Sequence, residues 1–251
     1  MSSLSATPSD DLFLRESRLH ERAAVVLAAD VVAGRLAPGD PFPSAEELVD
    51  RFGFSRTVAR EVLQNLSMLG LVRVQHGKRT EVRPNEDWNF LSPVMQEALR
   101  RENRLEPVWS DLYEFRLIVE PPAAAWMATR GSDRDLARLA ALAAEIRELA
   151  ADVANIRRVL AVDRAFHELI ATGSTNRILA GVNRSFLDAV SLLWEESESH
   201  LSREELATVA EQHQRIADAI ARRDPDAAAA AMESHLRAAS TIDVGHFPAG
   251  T

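Results

Sequence analysis

The chain has 251 residues, of which 46% are hydrophobic and 27% are charged, the size and composition of a globular protein with one or two domains. It contains no cysteine, which excludes disulfides and thiolate metal sites and fits a reducing compartment. No apolar run reaches the roughly 18 residues of a membrane span, and the polar start "MSSLSATPSDD" lacks the apolar core of a signal peptide. We therefore expect a cytoplasmic protein without a membrane partner.

The net charge of −9 is unevenly distributed along the chain. Residues 1–85 carry equal numbers of basic and acidic side chains, whereas residues 86–251 carry the whole negative excess. Within 51–83 there are seven basic side chains and two acidic ones, a local net charge of +5. Such a basic patch favours contact with phosphate groups, although a mixed solvated surface would give the same count.

Helix, turn and strand signals follow one another closely in the first third of the chain. Apolar residues at helical spacing predict a helix over 18–34 that ends at Gly34. The turn-rich connector "LAPGDPFPS" leads to Ser44, which predicts the N-cap of a short helix with Glu47 at the capping-box position. Ser55 predicts the cap of a third helix, and the extended pieces "LVRVQ" and "RTEV" flank "HGK" as a hairpin. Three helices followed by a two-stranded wing predict a winged helix-turn-helix domain.

The third helix and the hairpin tip carry the side chains expected to contact DNA. A recognition helix presents its first turn to base edges, and here Arg56 and Arg60 lie one turn apart, away from the apolar side. Arginine pairs with guanine through two hydrogen bonds, and Thr57 suits a phosphate or a thymine methyl group. The alternative is that these are ordinary surface charges on a small helical domain. The predicted DNA-contacting residues are Arg56, Thr57, Arg60, His76, Gly77 and Lys78.

From residue 85 onward the pattern is helical throughout. Scarce aromatic residues and alanine-rich runs favour helices, and we predict a mainly α fold with an all-helical bundle after the winged domain. Pro121 and Pro122 are expected to kink the first long helix, and Pro225 to break the last. The five predicted amphipathic segments are 107–130, 133–150, 153–172, 175–200 and 203–242. The predicted divisions are a disordered tail at 1–14, the winged domain at 15–84, a linker with a connector helix at 85–106, the helical domain at 107–245 and a tail at 246–251.

Four polar residues occupy the apolar faces of this predicted bundle. Asp163 and His167, in "AVDRAFHELIA", lie one helical turn apart, and His213 and His235 lie on the apolar faces of two further segments. A single inward histidine is usually a satisfied core residue. Four such groups without a common partner would leave several buried polar atoms unsatisfied, at about 1–3 kcal/mol each. We therefore predict one divalent metal ion per chain, zinc first, with nickel or manganese as alternatives.

The segment "PGDPFPSAEELVDRFGFSRTVAREVLQNLSMLGLVRVQHGKRTEV" resembles the winged-helix domain of GntR-family transcription regulators, and its wing resembles that of the FadR subfamily. The resemblance covers residues 18–84. It implies that the DNA contacts fall on the third helix and the wing, at Arg56, Thr57, Arg60, His76 and Gly77. The family commonly has an arginine that contacts DNA where this chain has Glu46.

The segments "DRAFHELIATGSTNRIL" and "EQHQRIADAIARRDPDAAAAAMESHL" are similar to the metal-binding form of the FCD ligand domain of that subfamily. The resemblance implies that the ion is held by Asp163, His167, His213 and His235 and helps to bind a small carboxylate effector. It also implies that Arg116, in "LYEFRLIVEPPAAAWMA", supplies a second anchor for the effector. The alternative for Arg116 is an i,i+4 pair with Glu120. The doubled proline of this segment departs from the usual single proline.

The leading hypothesis is a homodimeric transcription regulator, a repressor, that binds a pseudo-palindromic operator in double-stranded DNA and senses a small organic acid. One competing hypothesis is a metal-dependent helical-bundle enzyme. The chain has no Glu-x-x-His motif of the kind found in di-metal bundles, and a winged helix has no role in such an enzyme. A second alternative is a DNA-binding protein whose metal is purely structural.

Overall fold

The structure, a computed structural model, describes residues 8–75, 77–196 and 201–240. The chain divides into two compact units, and the boundary along the sequence lies between Leu105 and Glu106. Within the described residues, no helix is both long enough and apolar enough to cross a membrane. His76 and the predicted tail at 246–251 lie outside the described residues.

The first unit contains four helices and a two-stranded antiparallel sheet. They are α1 (Pro8–Val32), α2 (Ala45–Phe52), α3 (Arg56–Met68), β1 (Val72–Arg73), β2 (Glu81–Val82) and α4 (Pro93–Arg101). The core lies between α1 and its neighbours, with Leu27, Val62, Leu66 and Met95 fully buried. α1 begins ten residues earlier than the apolar pattern predicts and so includes part of the segment predicted as a disordered tail.

Caps at Ser44 and Ser55 set where α2 and α3 begin. The Ser44 hydroxyl accepts a hydrogen bond from the amide of Glu47 at 3.2 Å, and the Glu47 carboxylate accepts one from the amide of Ser44 at 2.7 Å. α2 ends at Gly53, whose φ of 70° is the left-handed conformation that glycine adopts without strain. The capping box and both caps predicted from the sequence are confirmed. They fix the residues at which the two helices of the helix-turn-helix begin.

The connector before α2 is part of the wing as well as a turn. Phe42 donates its amide to the carbonyl of Thr80, and Val82 donates to the carbonyl of Asp40. A bridge between Pro41 and Glu81 adds the connector to the outer edge of β2. These long-range hydrogen bonds hold the wing against the body of the unit, and they leave no local signal in the sequence.

The second unit is an all-α bundle. Its helices are α5 (Glu106–Arg130), α6 (Asp133–Leu149), α7 (Ile156–Gly173), α8 (Arg177–Glu196), α9 (Arg203–Ala221) and α10 (Pro225–Ser240). α5 continues as one helix through Pro121 and Pro122, and the predicted break at Pro225 separates α9 from α10. Apolar residues from these helices, with Phe166 and Ile170 at the centre, form one buried core.

α5 and α7 run parallel inside the bundle, whereas α9 and α10 form an antiparallel hairpin. Glu120 of α5 contacts His167 of α7, and further along both helices Arg130 donates to the carbonyl of Ser174 at 3.2 Å. The short turn around Pro225 reverses the chain between α9 and α10. This packing brings the inward polar side chains of four helices to one level of the core.

Candidate functional site

The first turn of α3 presents three predicted DNA-contacting residues to solvent. Arg56, Thr57 and Arg60 are exposed. Val58 and Val62 on the opposite face are buried in the core. The Ser55 hydroxyl accepts a hydrogen bond from the amide of Val58 at 3.2 Å, which fixes the start of the helix. Two guanidinium groups one turn apart on a free helix face can reach adjacent base edges in a major groove.

The wing tip carries Gly77 and Lys78, which are exposed. Gly77 has a φ of 72°, so the tight turn requires a residue without a side chain. Arg73 and Arg79 on either side of the tip are also exposed, although no sequence motif marks them as DNA contacts. The described part of the wing therefore presents positive charge around a turn that can approach a backbone closely.

Asp163, His167, His213 and His235 come together in the core of the second unit. Each offers one ligand atom, and the four atoms lie within 4.8 Å of one another. The three histidines are buried, whereas the Asp163 side chain is 24% exposed. The imidazole rings of His213 and His235 have centroids 4.5 Å apart, and His167 lies 5.2 Å from His235. The structure thus brings together the four residues singled out from the sequence as metal ligands.

Each imidazole uses its Nδ1 atom to bond an acceptor outside the cluster. Nδ1 of His213 donates to the carbonyl oxygen of Val209, four residues back on α9, at 2.8 Å. Nδ1 of His235 lies 3.0 Å from Oε1 of Gln212. A carbonyl oxygen can only accept, so in both rings Nδ1 carries the proton and Nε2 presents a lone pair. This is the tautomer that histidine metal ligands adopt when a neighbouring acceptor orients them.

His167 has the same arrangement through Glu120, whose sequence spacing predicts only a pair with Arg116. Nδ1 of His167 lies 2.6 Å from Oε2 of Glu120 on α5. The carboxylate accepts a hydrogen bond from the protonated Nδ1, which leaves Nε2 of His167 with a lone pair that faces the cluster. No local pattern predicts this contact, because the two residues are far apart in sequence.

The inward nitrogen atoms are left without partners. Nε2 of His167 and Nε2 of His213 are buried and have no hydrogen bond to any described residue. Nε2 of His213 nevertheless lies 2.9 Å from Oδ1 of Asp163, and Nε2 of His167 lies 3.8 Å from it. A lone pair facing a carboxylate is repulsive unless a cation lies between them. The donor set therefore fits a divalent metal ion, because three imidazole nitrogens and a carboxylate oxygen lie close enough together to share one ion.

Arg116 lies beside this cluster and is paired with Glu120 in the core. Nε of Arg116 donates to Oε1 of Glu120 at 2.6 Å, and both side chains are buried. Burial opposes ionisation of Glu120, but Arg116 and His167 hold its pKa down at about 2. Burial also opposes ionisation of Asp163, whereas positive charge on the histidine side of the cluster, which a bound cation would supply when the rings are neutral, keeps its pKa below the usual value. Both carboxylates are therefore charged at neutral pH.

A cavity lies directly beside the cluster and has Arg116 on its wall. Asp163 and His235 of the cluster line it, together with Tyr113, whose ring packs 5.1 Å from the Arg116 guanidinium carbon. Arg116 therefore meets both alternatives considered for it: it pairs with Glu120 and it faces the space beside the cluster. Tyr113 was not recognised from the sequence as a site residue.

Comparisons with known proteins match each of the two units to a known protein family. Residues 19–82 match the bacterial regulatory proteins of the gntR family, and residues 111–238 match the FCD domain. The chain is 32% identical to the HTH-type transcriptional regulator YieP of Escherichia coli, over 84% of this chain and 89% of that protein. It is 29% identical to the galactonate operon transcriptional repressor of the same organism, over 83% of this chain and 89% of that protein.

A solved structure has the same fold: that of Lar from Listeria monocytogenes, with a TM-score of 0.56 at 16% identity, over 88% of this chain and 94% of that one. The relatives described above are transcription regulators, and the metalloenzyme hypothesis finds no support among them. A winged DNA-binding unit precedes an FCD effector domain that has a cluster able to hold a metal ion. The chain therefore belongs to the GntR family of DNA-binding, effector-responsive transcription regulators, among the members with an FCD domain.

Proposed function

We propose that this regulator is a homodimeric repressor in which one divalent metal ion per chain, bound by the four clustered residues, holds a small carboxylate effector. The observation that carries the proposal is the pair of orphaned Nε2 atoms of His167 and His213, which face the charged carboxylate of Asp163. Zinc suits three imidazoles and one carboxylate best, and nickel or manganese are the alternatives. When bound, the ion supplies positive charge and open coordination positions for an anionic ligand.

Arg116 is the second anchor for the effector in this proposal. Its guanidinium lines the cavity, and arginine binds carboxylates with a planar, two-pronged geometry. Glu120 orients both Arg116 and His167, because Oε1 accepts a hydrogen bond from Nε of Arg116 and Oε2 accepts from Nδ1 of His167 and, at 3.4 Å, from Nη2 of Arg116. The carboxylate of Glu120 thus acts as a positioning group that links the anion-binding arginine to the metal-binding histidine.

DNA binding is assigned to α3 and the wing of the first unit. Arg56 and Arg60 would contact base edges in the major groove, while Thr57, Gly77 and Lys78 would contact the sugar-phosphate backbone or the adjacent minor groove. His76 belongs to the same proposal from its place at the wing tip. One recognition helix per chain reads too few base pairs for useful specificity, so a two-fold dimer on a pseudo-palindrome would double the footprint.

An apolar band on the outer side of α5 and α8 supports the dimer. Phe115 of α5 stacks on Phe186 of α8, with ring centroids 3.9 Å apart. On the outside of the same two helices, Ile118 is 71% exposed, Ile178 is 77% exposed and Val182 is 37% exposed. Isolated exposed apolar residues are common, but a group on adjacent helices is typical of an interface.

The direction of the helices brings these exposed residues together. α8 runs antiparallel to α7, as shown by the ion pairs of Arg164 with Asp188 and of Arg184 with Glu168. Because α5 is parallel to α7, it is antiparallel to α8, and Ile118 lies level with the middle of α8. A second copy of this chain would cover the band, since a two-fold axis brings the same surface of both copies together.

The proposal is tested by measuring operator affinity in the presence and absence of carboxylates. The full chain is loaded with zinc, and its binding to its own promoter DNA is measured against a panel of small organic acids. We expect at least one acid to change DNA affinity, and we expect metal-free protein and the variant His213→Ala to lose this response. The variant His20→Ala, a histidine outside the cluster, serves as the matched control and should respond normally.

The outcomes separate the proposal from the structural-metal alternative. If zinc binds but no acid alters DNA affinity or thermal stability, the metal is structural and the effector assignment is wrong. If metal-free protein responds to the same acid with unchanged affinity, the four residues are ordinary core polar groups.

A further inference from the structure

The cavity beside the cluster is polar at one end and apolar at the other. The polar end is formed by Arg116, Asp163 and His235. The remaining described lining is aliphatic except for Tyr113 and comes from α7, α9, α10 and the residue that precedes α9 by two positions. The aliphatic residues are Val159, Leu160, Leu201, Leu206, Val209 and Ala239.

The apolar residues all lie on one side of the metal-binding residues. On α7, Leu160 lies one turn before Asp163, and on α9, Val209 lies one turn before His213. On α10, the residue one turn after His235 is Ala239. Since α9 and α10 are antiparallel, residues N-terminal to His213 on α9 and residues C-terminal to His235 on α10 lie on the same side of the cluster. Within the described lining, an acid whose carboxylate lies at the cluster would therefore extend its body between aliphatic side chains.

The aliphatic lining discriminates between acids by the part of the molecule beyond the carboxylate, according to whether that part carries hydroxyl groups or is an alkyl chain. Each hydroxyl group of a sugar acid would leave water and face Leu160, Leu206 or Ala239, none of which can donate or accept a hydrogen bond. An alkyl body would instead bury apolar surface against the same walls. The cavity is also small, about 30 Å³, enough for about two or three water molecules, so a four-carbon acid can enter it only when the surrounding side chains move apart.

We infer that the effector is a compact monocarboxylate with an apolar body, and not a polyhydroxylated sugar acid. The inference rests on the proposed function, because it assumes that the carboxylate is held by the metal and Arg116. Leu160, Val209 and Ala239 are then the residues that determine which acid is recognised.

The test compares two four-carbon acids that differ only in the body. Alpha-hydroxybutyrate and erythronate share a carboxylate and an alpha-hydroxyl group, so both can approach a metal in the same way. Erythronate has a further hydroxyl on each of its other two carbons. Binding of each acid to the zinc-loaded full chain is measured by calorimetry. We expect alpha-hydroxybutyrate to bind at least tenfold more tightly.

A wall variant provides an independent readout. Val209→Thr keeps the shape of the side chain but places a hydroxyl on the cavity wall, so it should reduce the preference for alpha-hydroxybutyrate at least threefold. Val153→Thr, at an exposed site that does not line the cavity, is the matched control and should leave the preference unchanged.

The possible results bear differently on the two proposals. A preference below tenfold, or tighter binding of erythronate, overturns the apolar-body inference and leaves carboxylate sensing intact. If neither acid nor any other carboxylate binds the zinc-loaded chain, the proposed function fails and the inference fails with it.

Discussion

Replacing Glu120 with glutamine is the perturbation that tests the core of the site most directly. Glutamine keeps the size of the side chain and removes its charge. The buried guanidinium of Arg116, whose nearest carboxylate contact is 2.6 Å, would then lose its counter-charge in the core. Nδ1 of His167 would lose the charged acceptor that orients its ring. The variant therefore affects the proposed effector anchor, Arg116, and a proposed metal ligand, His167, together.

The expected loss of stability in Glu120→Gln follows from the burial of the Arg116–Glu120 pair. The side chains of Arg116 and Glu120 are both 3% exposed, so solvent screens the pair very little. At an effective dielectric constant of about 20, two charges about 4 Å apart attract by about 4 kcal/mol. Removing one partner of a buried pair typically costs about 3–5 kcal/mol, because the other charge stays buried without compensation. Loss of an outer-shell hydrogen bond typically weakens metal binding by about 10–100-fold.

The assay measures urea unfolding by tryptophan fluorescence, since three of the four tryptophans, Trp109, Trp126 and Trp194, lie in the second unit. Zinc affinity is measured in parallel by competition with a chelator. Glu233→Gln is the matched control, because Glu233 pairs with Arg237 at 2.7 Å on α10 of the same unit but at the surface, and it should cost no more than about 1 kcal/mol. If Glu120→Gln costs no more than the control and leaves zinc affinity unchanged, our account of the site is wrong.

Three further predictions concern DNA binding and assembly. Arg56→Ala should weaken binding to the specific operator by about 1–3 kcal/mol in a gel-shift titration, because it removes a contact to a base edge; an unchanged ratio of specific to nonspecific affinity would contradict the role of α3. Lys78→Ala should weaken binding equally on all sequences and flatten the salt dependence, as measured by fluorescence anisotropy at several salt concentrations. Equal salt slopes for the variant and the parent chain would exclude a phosphate contact. Ile178→Asp should convert the dimer to a monomer in light scattering and weaken operator binding, whereas Val153→Asp should not. A dimer that survives Ile178→Asp would exclude the α8 surface as the interface.

The sequence predicted the helices well where their ends are set by local chemistry. Ser44, Gly53 and Ser55 mark the bounds of α2 and α3 because caps act within a few residues. Pro225 marks the start of α10 for the same reason. The start of α1 was predicted ten residues too late, because its first turns show no apolar periodicity. The pairing of the connector at Pro41 with the wing was not predicted, since it depends on a contact far along the chain.

The four clustered residues stand out in the sequence because each lies on an apolar helix face, where a polar group is unexpected. Their partners do not. The acceptor for His213 is a backbone carbonyl, which every residue has, and the acceptor for His167 is Glu120 on another helix. The i,i+4 spacing of Glu120 from Arg116 predicts an ion pair within α5. That pair accounts for Glu120 without any contact to His167, so the sequence gives no reason to expect the second contact. Tertiary packing alone shows that one carboxylate serves both residues.

The cluster is better explained by regulation than by stability. Apolar residues at these four positions would pack the core without orphaned atoms, and replacing buried polar groups in this way is often neutral or stabilising. Phe166, packed edge-on 4.8 Å from the ring of His213, shows that the same layer accepts an aromatic side chain. With Asp163 and the histidines there instead, the packing of α5, α7, α9 and α10 depends on what lies at their centre. A ligand can shift an equilibrium only by its difference in affinity for the two states, and in the proposed function this centre would provide that difference. α5 begins directly after Leu105, so the helix that carries Arg116 is also the one that continues from the DNA-binding unit.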